Sequence, residues 1–320
     1  MSDLTADTLR CAFHPSVPTL LSCTRCDRPA CPDCLVDAPV GKRCVACIAE
    51  QSASGTARER AARRSLTRPG WVFWALTGTF LGFCVLVASM PFPAGQAIPG
   101  GLRFASFALV VSGWVVSLCL HEWAHAYVAY RSGDHSVVGR GYLTLDPRKY
   151  TDPVFSVAIP VAFLVMGGIG LPGGAVWIDH GNIRSRRNRS LVSLAGPVVN
   201  VVFGVACIVP VAAGVFDRSP TLAVAIAYLG WLEFATATLN LLPVPGLDGY
   251  GIVEPYLPHT VRAFVNPYAH YAILILLVLM ITTSFGTFVF EIADAATAAL
   301  GVDPNVLVHD GRLIANVQLL

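Results

Sequence analysis

Long apolar runs separated by short polar segments dominate the chain from residue 71 onward. A helix needs about 20 apolar residues to cross the roughly 30 Å hydrocarbon core of a bilayer. Five runs approach or exceed that length, so the pattern predicts an all-α polytopic membrane protein with about five spans. The predicted spans are Trp71–Met90, Phe104–Tyr130, Leu191–Val215, Leu222–Leu242 and Tyr271–Phe290, the last followed by an apolar tail to Leu300.

A sixth apolar run, Val154–Leu171, is shorter and is broken by Pro160 and three glycines. The segments on either side of it, Arg131–Asp152 and Gly173–Ser190, are both rich in Lys and Arg, which marks cytoplasmic loops. A single crossing between two cytoplasmic loops would break that rule. We therefore interpret this run as a re-entrant or interfacial segment, with a full span as the alternative.

Charge indicates the location of the N-terminus. Only 13% of the residues are charged, against about 25% in soluble proteins. Residues 51–70 form a linker with several arginines directly before the first span, where they would face anionic lipid. Met1–Arg10 is polar and does not resemble a signal peptide. The sequence predicts a multi-pass protein of the cytoplasmic membrane with a cytoplasmic N-terminus.

The second predicted span carries the motif H-E-x-x-H, from His121 to His125. Positions i and i+4 share one face of a helix, so both imidazoles can bind one zinc ion. Glu122 lies beside them and can take a proton from a zinc-bound water. Three ionisable groups inside a span are costly and indicate function. A chance H-E-x-x-H on a buried helix is the alternative interpretation.

Two histidines leave a catalytic zinc short of one protein ligand. Two carboxylates are candidates, Glu233 inside the fourth span and Asp248 just beyond it. Pro243, Pro245 and Gly246 break the helix before Asp248 and free the backbone to direct this side chain at the metal. Asp248 is therefore the favoured third ligand, and Glu233 is predicted to hydrogen-bond a polar neighbour, with a role in water or proton supply as an alternative.

Seven of the ten cysteines lie in the first 47 residues and, with one histidine, form four C-x-x-C or C-x-x-H pairs. Eight ligands suffice for two closed tetrahedral zinc sites, and so short a segment needs metal to fold. A disulfide framework is the competing interpretation, but it requires an oxidising compartment. The pairs are Cys11 with His14, Cys23 with Cys26, Cys31 with Cys34, and Cys44 with Cys47.

These motifs resemble those of the site-2 protease family of intramembrane zinc metalloproteases. His121–His125 is similar to the family's first motif, and Asn240–Gly249 to its N-x-x-P-x-P-x-L-D-G motif. Gly196, Asn200 and Gly204 are similar to its G-x-x-x-N-x-x-x-G helix-packing pattern. The likeness covers about residues 104–255.

The resemblance implies hydrolysis of peptide bonds within membrane-spanning protein substrates. His121, His125 and Asp248 would bind the catalytic zinc and Glu122 would act as the base. Asn240 would hold the substrate strand or the developing oxyanion.

The N-terminal spacing resembles a B-box-type zinc finger, which implies two interleaved structural zinc sites and a protein-binding surface. In that pattern one zinc is bound by Cys11, His14, Cys31 and Cys34, and the other by Cys23, Cys26, Cys44 and Cys47. The predicted organisation is a finger over residues 1–50, a linker over 51–70, a transmembrane metalloprotease domain over 71–300 and a tail over 301–320.

Three other functions fit the sequence less well. A non-catalytic membrane scaffold of the same fold would be expected to have lost a ligand or the base, yet all four residues are present. A metal transporter would show inverted repeats and several intramembrane charges along one pathway, which the sequence lacks. Nucleic-acid binding by the finger is not expected, because its basic face is small.

Overall fold

The protein is described from a computed structural model, over residues 9–37, 41–50, 69–90, 98–149, 178–183 and 185–305. The chain divides into two units, Met1–Arg64 and Ser65–Leu320. The predicted re-entrant run Val154–Leu171, most of the linker over residues 51–70, and the tail from residue 306 lie outside the described residues.

The first unit holds a small two-stranded sheet. Strands β1 (Leu35–Asp37) and β2 (Lys42–Cys44) pair antiparallel with Leu35 opposite Cys44, and a 3-10 turn, Pro32–Cys34, precedes them. Residues 45–50 are helical. The buried cluster of this unit consists of six cysteines with Ala30 and Leu35. So small an apolar core cannot stabilise a fold without metal.

Among the described residues of the second unit, four helices are long and apolar enough to cross a membrane. Each matches a predicted span to within a few residues, which confirms the polytopic all-α prediction. They are α1 (Trp71–Ser89), α2 (Gly100–Ser132), α4 (Arg186–Ala212) and α5 (Pro220–Asn240), with the one-turn helix α3 (Ser136–Gly139) between α2 and α4.

Helix ends follow local chemistry. Helix α2 ends at Ser132 and is capped by Gly133, whose φ of 120° few other residues tolerate and whose N–H donates to the carbonyls of Ala129 and Tyr130. Helix α4 begins after Ser185, whose hydroxyl accepts from the Asn188 N–H.

The last predicted span is divided into two helices, α8 (Ala269–Thr282) and α9 (Phe285–Ala299). The segments Leu274–Met280 and Phe285–Ala299 meet at 79°, and the number of spans reaches five if this bent pair counts as one. Before them lie the short helices α6 (Asp248–Val253) and α7 (His259–Val265).

Helix α5 is the centre of the helical unit, and nearly all of its side chains are buried. Glycines allow α4 to approach it closely, as small residues do between helices in membranes. A Cβ at Gly204 would lie 2.7 Å from the Phe234 ring, and one at Gly230 would lie 2.8 Å from Ile208 Cγ1. This contact sets the position of α4 against α5, and with it the position of the residues that α4 supplies to the site described below.

Two hydrogen bonds join the segment that follows α2, which carries basic residues, to other parts of the helical unit. The Gly70 N–H, at the start of α1, donates to the Thr144 carbonyl at 2.8 Å, and the Arg148 guanidinium lies 5.3 Å from the centre of the Trp71 ring. The Asp179 N–H donates to Asp134 Oδ2 at 2.8 Å, which joins the end of α2 to the segment before α4.

Candidate metal centres

Helix α2 places the two motif histidines side by side. His121 Nε2 and His125 Nε2 lie 3.0 Å apart, one helical turn from each other, and both side chains are buried. Their rings meet edge to face with centroids 4.7 Å apart. His121 lies eleven residues before the end of α2, which corresponds to roughly 16 Å along the helix axis. The pair therefore lies well inside the apolar part of the unit.

Asp248 joins the two histidines from the start of α6. Its Oδ2 lies 3.3 Å from His121 Nε2 and its Oδ1 lies 3.3 Å from His125 Nε2. The chain reaches this point after a sharp reversal beyond α5, with a φ of 95° at Gly246. At Gly249 a side chain would overlap the Leu241 carbonyl oxygen, so glycine is needed where the chain folds back.

The donor set fits a metal ion. One atom from each of His121, His125 and Asp248 can be chosen so that all three lie within 4.8 Å of one another. Two imidazole lone pairs and a carboxylate directed at one point repel one another unless a cation lies between them. Two histidines, one carboxylate and an open position form the usual environment of a catalytic zinc.

Helix α4 orients both imidazoles from behind. His121 Nδ1–H donates to Asn200 Oδ1 at 2.6 Å, and His125 Nδ1–H donates to the Val192 carbonyl at 2.6 Å. A proton held at Nδ1 leaves the Nε2 lone pair for the metal. The sequence did not predict these partners. The only available signal was the G-x-x-x-N-x-x-x-G pattern, which indicated helix packing alone.

Gly196 forms one wall of the site, a role that the sequence also did not predict. A Cβ at this position would lie 2.5 Å from His121 Nε2 and would overlap His125 Nε2. No real Cβ contact is that short, so any side chain here would displace the imidazoles or fill the space between their Nε2 atoms. The glycine therefore makes room for a metal ion.

The other predicted site residues occupy different environments. Glu122 is buried beside His121 on α2. Asn240 is buried at the last residue of α5, and no described hydrogen bond joins its side chain to the three predicted ligands. Glu233 Oε2 accepts from Ser117 Oγ at 2.6 Å and from Asn200 Nδ2 at 2.7 Å. The structure thus brings Asp248, and not Glu233, to the two histidines.

The N-terminal unit gathers its eight predicted ligands into two groups. Their members are those that the resemblance implies: Cys11, His14, Cys31 and Cys34 in one, and Cys23, Cys26, Cys44 and Cys47 in the other.

No described cysteine forms a disulfide bond, and the sulfur atoms within the second group are separated as in a tetrahedral zinc site. Cys23 and Cys47 Sγ lie 3.9 Å apart, and Cys26 and Cys44 Sγ lie 3.8 Å apart. Zinc–sulfur bonds of about 2.3 Å imply a sulfur–sulfur separation of about 3.8 Å, well beyond a disulfide bond. The Cys44 N–H donates to Cys23 Sγ and, together with the N–H groups of Arg25 and Cys26, lowers the pKa of that thiol to about 6, which favours the thiolate that binds metal.

Comparison with known proteins supports a zinc protease. The chain is 47% identical over 211 residues to "Putative zinc metalloprotease Rip2" of Mycolicibacterium smegmatis, which is 65% of this chain and 80% of that protein. It is 39% identical over 231 residues to the protein of the same name in Mycobacterium tuberculosis, 72% of this chain and 87% of that protein.

A third relative, "Putative zinc metalloprotease YwhC" of Bacillus subtilis, is 34% identical over 175 residues, 52% of this chain and 78% of that protein. No protein-family model and no solved structure matches the chain. The motif spacing, the convergence of two histidines and an aspartate inside a helical membrane unit, and this degree of identity lead to one conclusion. The chain belongs to the site-2 protease family of zinc metalloproteases.

Proposed function

We propose that this protein hydrolyses peptide bonds in or near membrane-spanning segments of other membrane proteins, at one zinc ion bound by His121, His125 and Asp248. One observation carries the proposal: the two Nε2 atoms and the Asp248 carboxylate converge at one buried place on a helix long and apolar enough to span a membrane. Three protein ligands leave a fourth position for water or a substrate carbonyl. The non-catalytic scaffold is disfavoured because every residue of this set is retained.

Each residue has a role that follows from its chemistry. Zinc bound here would polarise a carbonyl and lower the pKa of a bound water. Glu122 is buried beside the ligands, and its carboxylate would accept a proton from that water and later donate it to the leaving amide nitrogen. We assign Asn240 to holding the substrate strand or the developing oxyanion, because its amide lies at the end of α5 just before the reversal that leads to Asp248.

We further propose that the basic face, which carries the Gly70–Thr144 and Asp134–Asp179 hydrogen bonds, is cytoplasmic, and that the N-terminus lies on the same side. Arg131, Arg140, Arg148 and Lys149 belong to this face, and Arg186, Arg187 and Arg189 follow it in α4. Short loops rich in Lys and Arg remain in the cytoplasm. This arrangement supports the prediction that Val154–Leu171 does not cross the membrane once.

We assign the N-terminal finger, residues 1–50, to protein binding with two structural zinc ions, so that the full chain binds three. Its two ligand groups share no residue with the membrane set, and the predicted linker over residues 51–70 separates them in sequence. The finger would recruit or select membrane-spanning substrates and perform no chemistry.

Glu122→Gln tests the proposed reaction. The full-length protein is reconstituted in liposomes with a labelled transmembrane peptide, and both cleavage and zinc content are measured. Glu122→Gln removes the base but no ligand, so cleavage should stop while all zinc remains. Glu291→Gln makes the same change on an exposed carboxylate of α9 and should cleave normally. Cleavage by Glu122→Gln at the normal rate would refute the assignment.

A second experiment tests the finger. The rate on a short transmembrane peptide in detergent should be unchanged when Met1–Glu50 is deleted. Full-length membrane protein substrates are first identified by trapping them with Glu122→Gln. The same deletion should change the rate at which these substrates are cleaved, or which of them are cleaved. If activity on the short peptide is lost, the finger supports the catalytic unit directly, and the recruitment proposal is wrong.

A further inference from the structure

Glu233 is a fully buried carboxylate in the middle of α5, the central helix. It binds no predicted metal ligand directly, and its hydrogen-bond partners Ser117 and Asn200 are neutral. Its other oxygen, Oε1, is buried without a hydrogen-bond partner. A carboxylate inside a span is costly, and an apolar side chain would fill the same space without that cost. Helix packing alone does not explain why glutamate is here.

The side chain of Asn200 connects Glu233 to the metal site. Its Oδ1 accepts from His121 Nδ1–H at 2.6 Å, and its Nδ2 donates to Glu233 Oε2 at 2.7 Å and to Ser117 Oγ at 3.3 Å. An amide has one accepting end and one donating end. Rotated by 180°, it would place Oδ1 against the carboxylate oxygen, which is repulsive, and its NH₂ group against His121 Nδ1. Glu233 therefore decides which end of Asn200 faces His121.

The second histidine shows why only one such carboxylate is needed. His125 Nδ1–H donates to the Val192 backbone carbonyl, which can only accept and cannot reverse its polarity. His125 is thereby held in one tautomer without further support. His121 depends on a side-chain amide that can rotate, and another hydrogen bond must therefore fix the orientation of that amide. Glu233 Oε2, which also accepts from Ser117 Oγ, makes this hydrogen bond with Asn200 Nδ2.

We propose that Glu233 is a positioning residue: through Asn200 it holds His121 in the tautomer whose Nε2 binds the metal. It touches neither metal nor substrate. The chain of contacts runs from Glu233 through Asn200 to His121, and each link is a hydrogen bond between buried side chains. This inference rests on the proposed zinc site.

The test measures the zinc content of the full-length protein across a series of buffered free-zinc concentrations, together with thermal unfolding in detergent. Glu233→Leu removes the hydrogen-bond acceptor that orients the Asn200 amide. The free zinc concentration needed to fill the membrane site should therefore rise about 10- to 100-fold, as for other groups that orient metal ligands. Unfolding temperature should stay the same or rise, because a buried charge has been removed. Glu233→Gln can still present an oxygen to Asn200 Nδ2 and should restore zinc binding to within a few-fold.

Two controls make the result decisive. Thr236→Val removes a buried hydroxyl one turn along the same helix and should change neither measurement. In an Asn200→Ala background, Glu233→Gln and Glu233→Leu should have no further effect on zinc binding, because the link to His121 is already cut. Glu233→Met, which also lacks a hydrogen-bonding carboxylate but is closer in length to glutamate, replaces Glu233→Leu in both backgrounds if the leucine variant does not fold.

The opposite results overturn the proposal. Lower stability with unchanged zinc binding would mean that Glu233 only ties helices together. An equal loss of zinc binding with and without Asn200 would mean that it acts by another route. Failure of the zinc site itself is distinguishable, because the unsubstituted protein would then bind no zinc beyond that of the finger.

Discussion

The two metal-binding regions of this chain are built in opposite ways. In the finger the predicted ligands are themselves the core: the buried cluster contains six of the cysteines and only Ala30 and Leu35 besides. In the membrane unit the three ligands are held by helices that share a large apolar core, which includes Trp114, Leu229 and Trp231. In the finger, metal binding would fold the chain. In the membrane unit, the packed helices hold the ligands in place.

This difference follows from what each sequence can bury. The finger has too little apolar surface to fold alone, so binding energy and folding energy are the same quantity there. The helices of the membrane unit satisfy their own backbone hydrogen bonds and pack through glycine contacts such as Gly204 on Phe234. A catalytic site needs this independence, because it must keep its shape with one coordination position open.

Zinc removal should give the largest contrast. Structural zinc contributes about 10–16 kcal/mol to small fingers at neutral pH. Chelation should therefore abolish amide-exchange protection over residues 9–50 and leave α2 and α5 protected, as measured by hydrogen–deuterium exchange in detergent. Equal loss of protection in α5 would show that the membrane unit also depends on metal to fold.

Gly196→Ala should remove the membrane zinc and spare the finger. The new Cβ would lie 2.5 Å from His121 Nε2, in the space that the predicted ligands surround. Zinc content should fall from about three ions per chain to about two, with cleavage abolished. Gly82→Ala on α1 is the matched control, because a Cβ there meets nothing within 4 Å. Retention of three zinc ions by Gly196→Ala would contradict the geometry of the site.

Changes in the finger should produce the reverse pattern. Deletion of Met1–Glu50 should lower zinc content from about three ions to about one. Cys23→Ser should unfold the finger locally and leave the membrane zinc in place, because the two ligand sets share no residue. Elemental analysis with exchange protection of α2 checks both statements. A truncated protein without zinc would refute the membrane site.

The orientation of the two regions can be tested by cysteine labelling. Single cysteines at Gly139, near Ser136, and at Asn182 are both exposed, and in a background without other reactive thiols they should react with an impermeant reagent from the cytoplasmic side only. The contact between Asp134 and Asp179 places these positions on one face. Labelling from opposite sides would mean that Val154–Leu171 crosses the membrane and that this contact does not form.

The smallest expected effect concerns the contact between the start of α1 and the basic face. Arg148→Ala removes the stacking on Trp71 and two hydrogen bonds to Asp146, and the loss of stability should be small because the Arg148 side chain is exposed and solvent screens its charge. Arg148 also lowers the pKa of Asp146, so the contribution of the pair is present above the ordinary carboxyl pKa and is lost as pH falls through the lowered value. The loss of stability is measured by thermal unfolding of Arg148→Ala, with Arg218→Ala as a control at an exposed arginine.

Much of the fold followed from local sequence. Apolar run length predicted α1, α2, α4 and α5, because crossing a bilayer imposes a length and an apolar composition that few other structures share. The bend between α8 and α9 was not predicted, since Thr283 and Ser284 are too weak a break to recognise in an apolar run.

The sequence by itself determined the members of the site whose relation is local. His121 and His125 lie one helical turn apart, and the prolines and glycine before Asp248 interrupt a helix, so both features could be recognised without a structure. Only the tertiary structure decided the rest. Asn200 meets His121 across 79 residues, Val192 meets His125 across 67, and Ser117 meets Glu233 across 116. No periodicity relates residues at such distances, because their proximity depends on how α2, α4 and α5 pack.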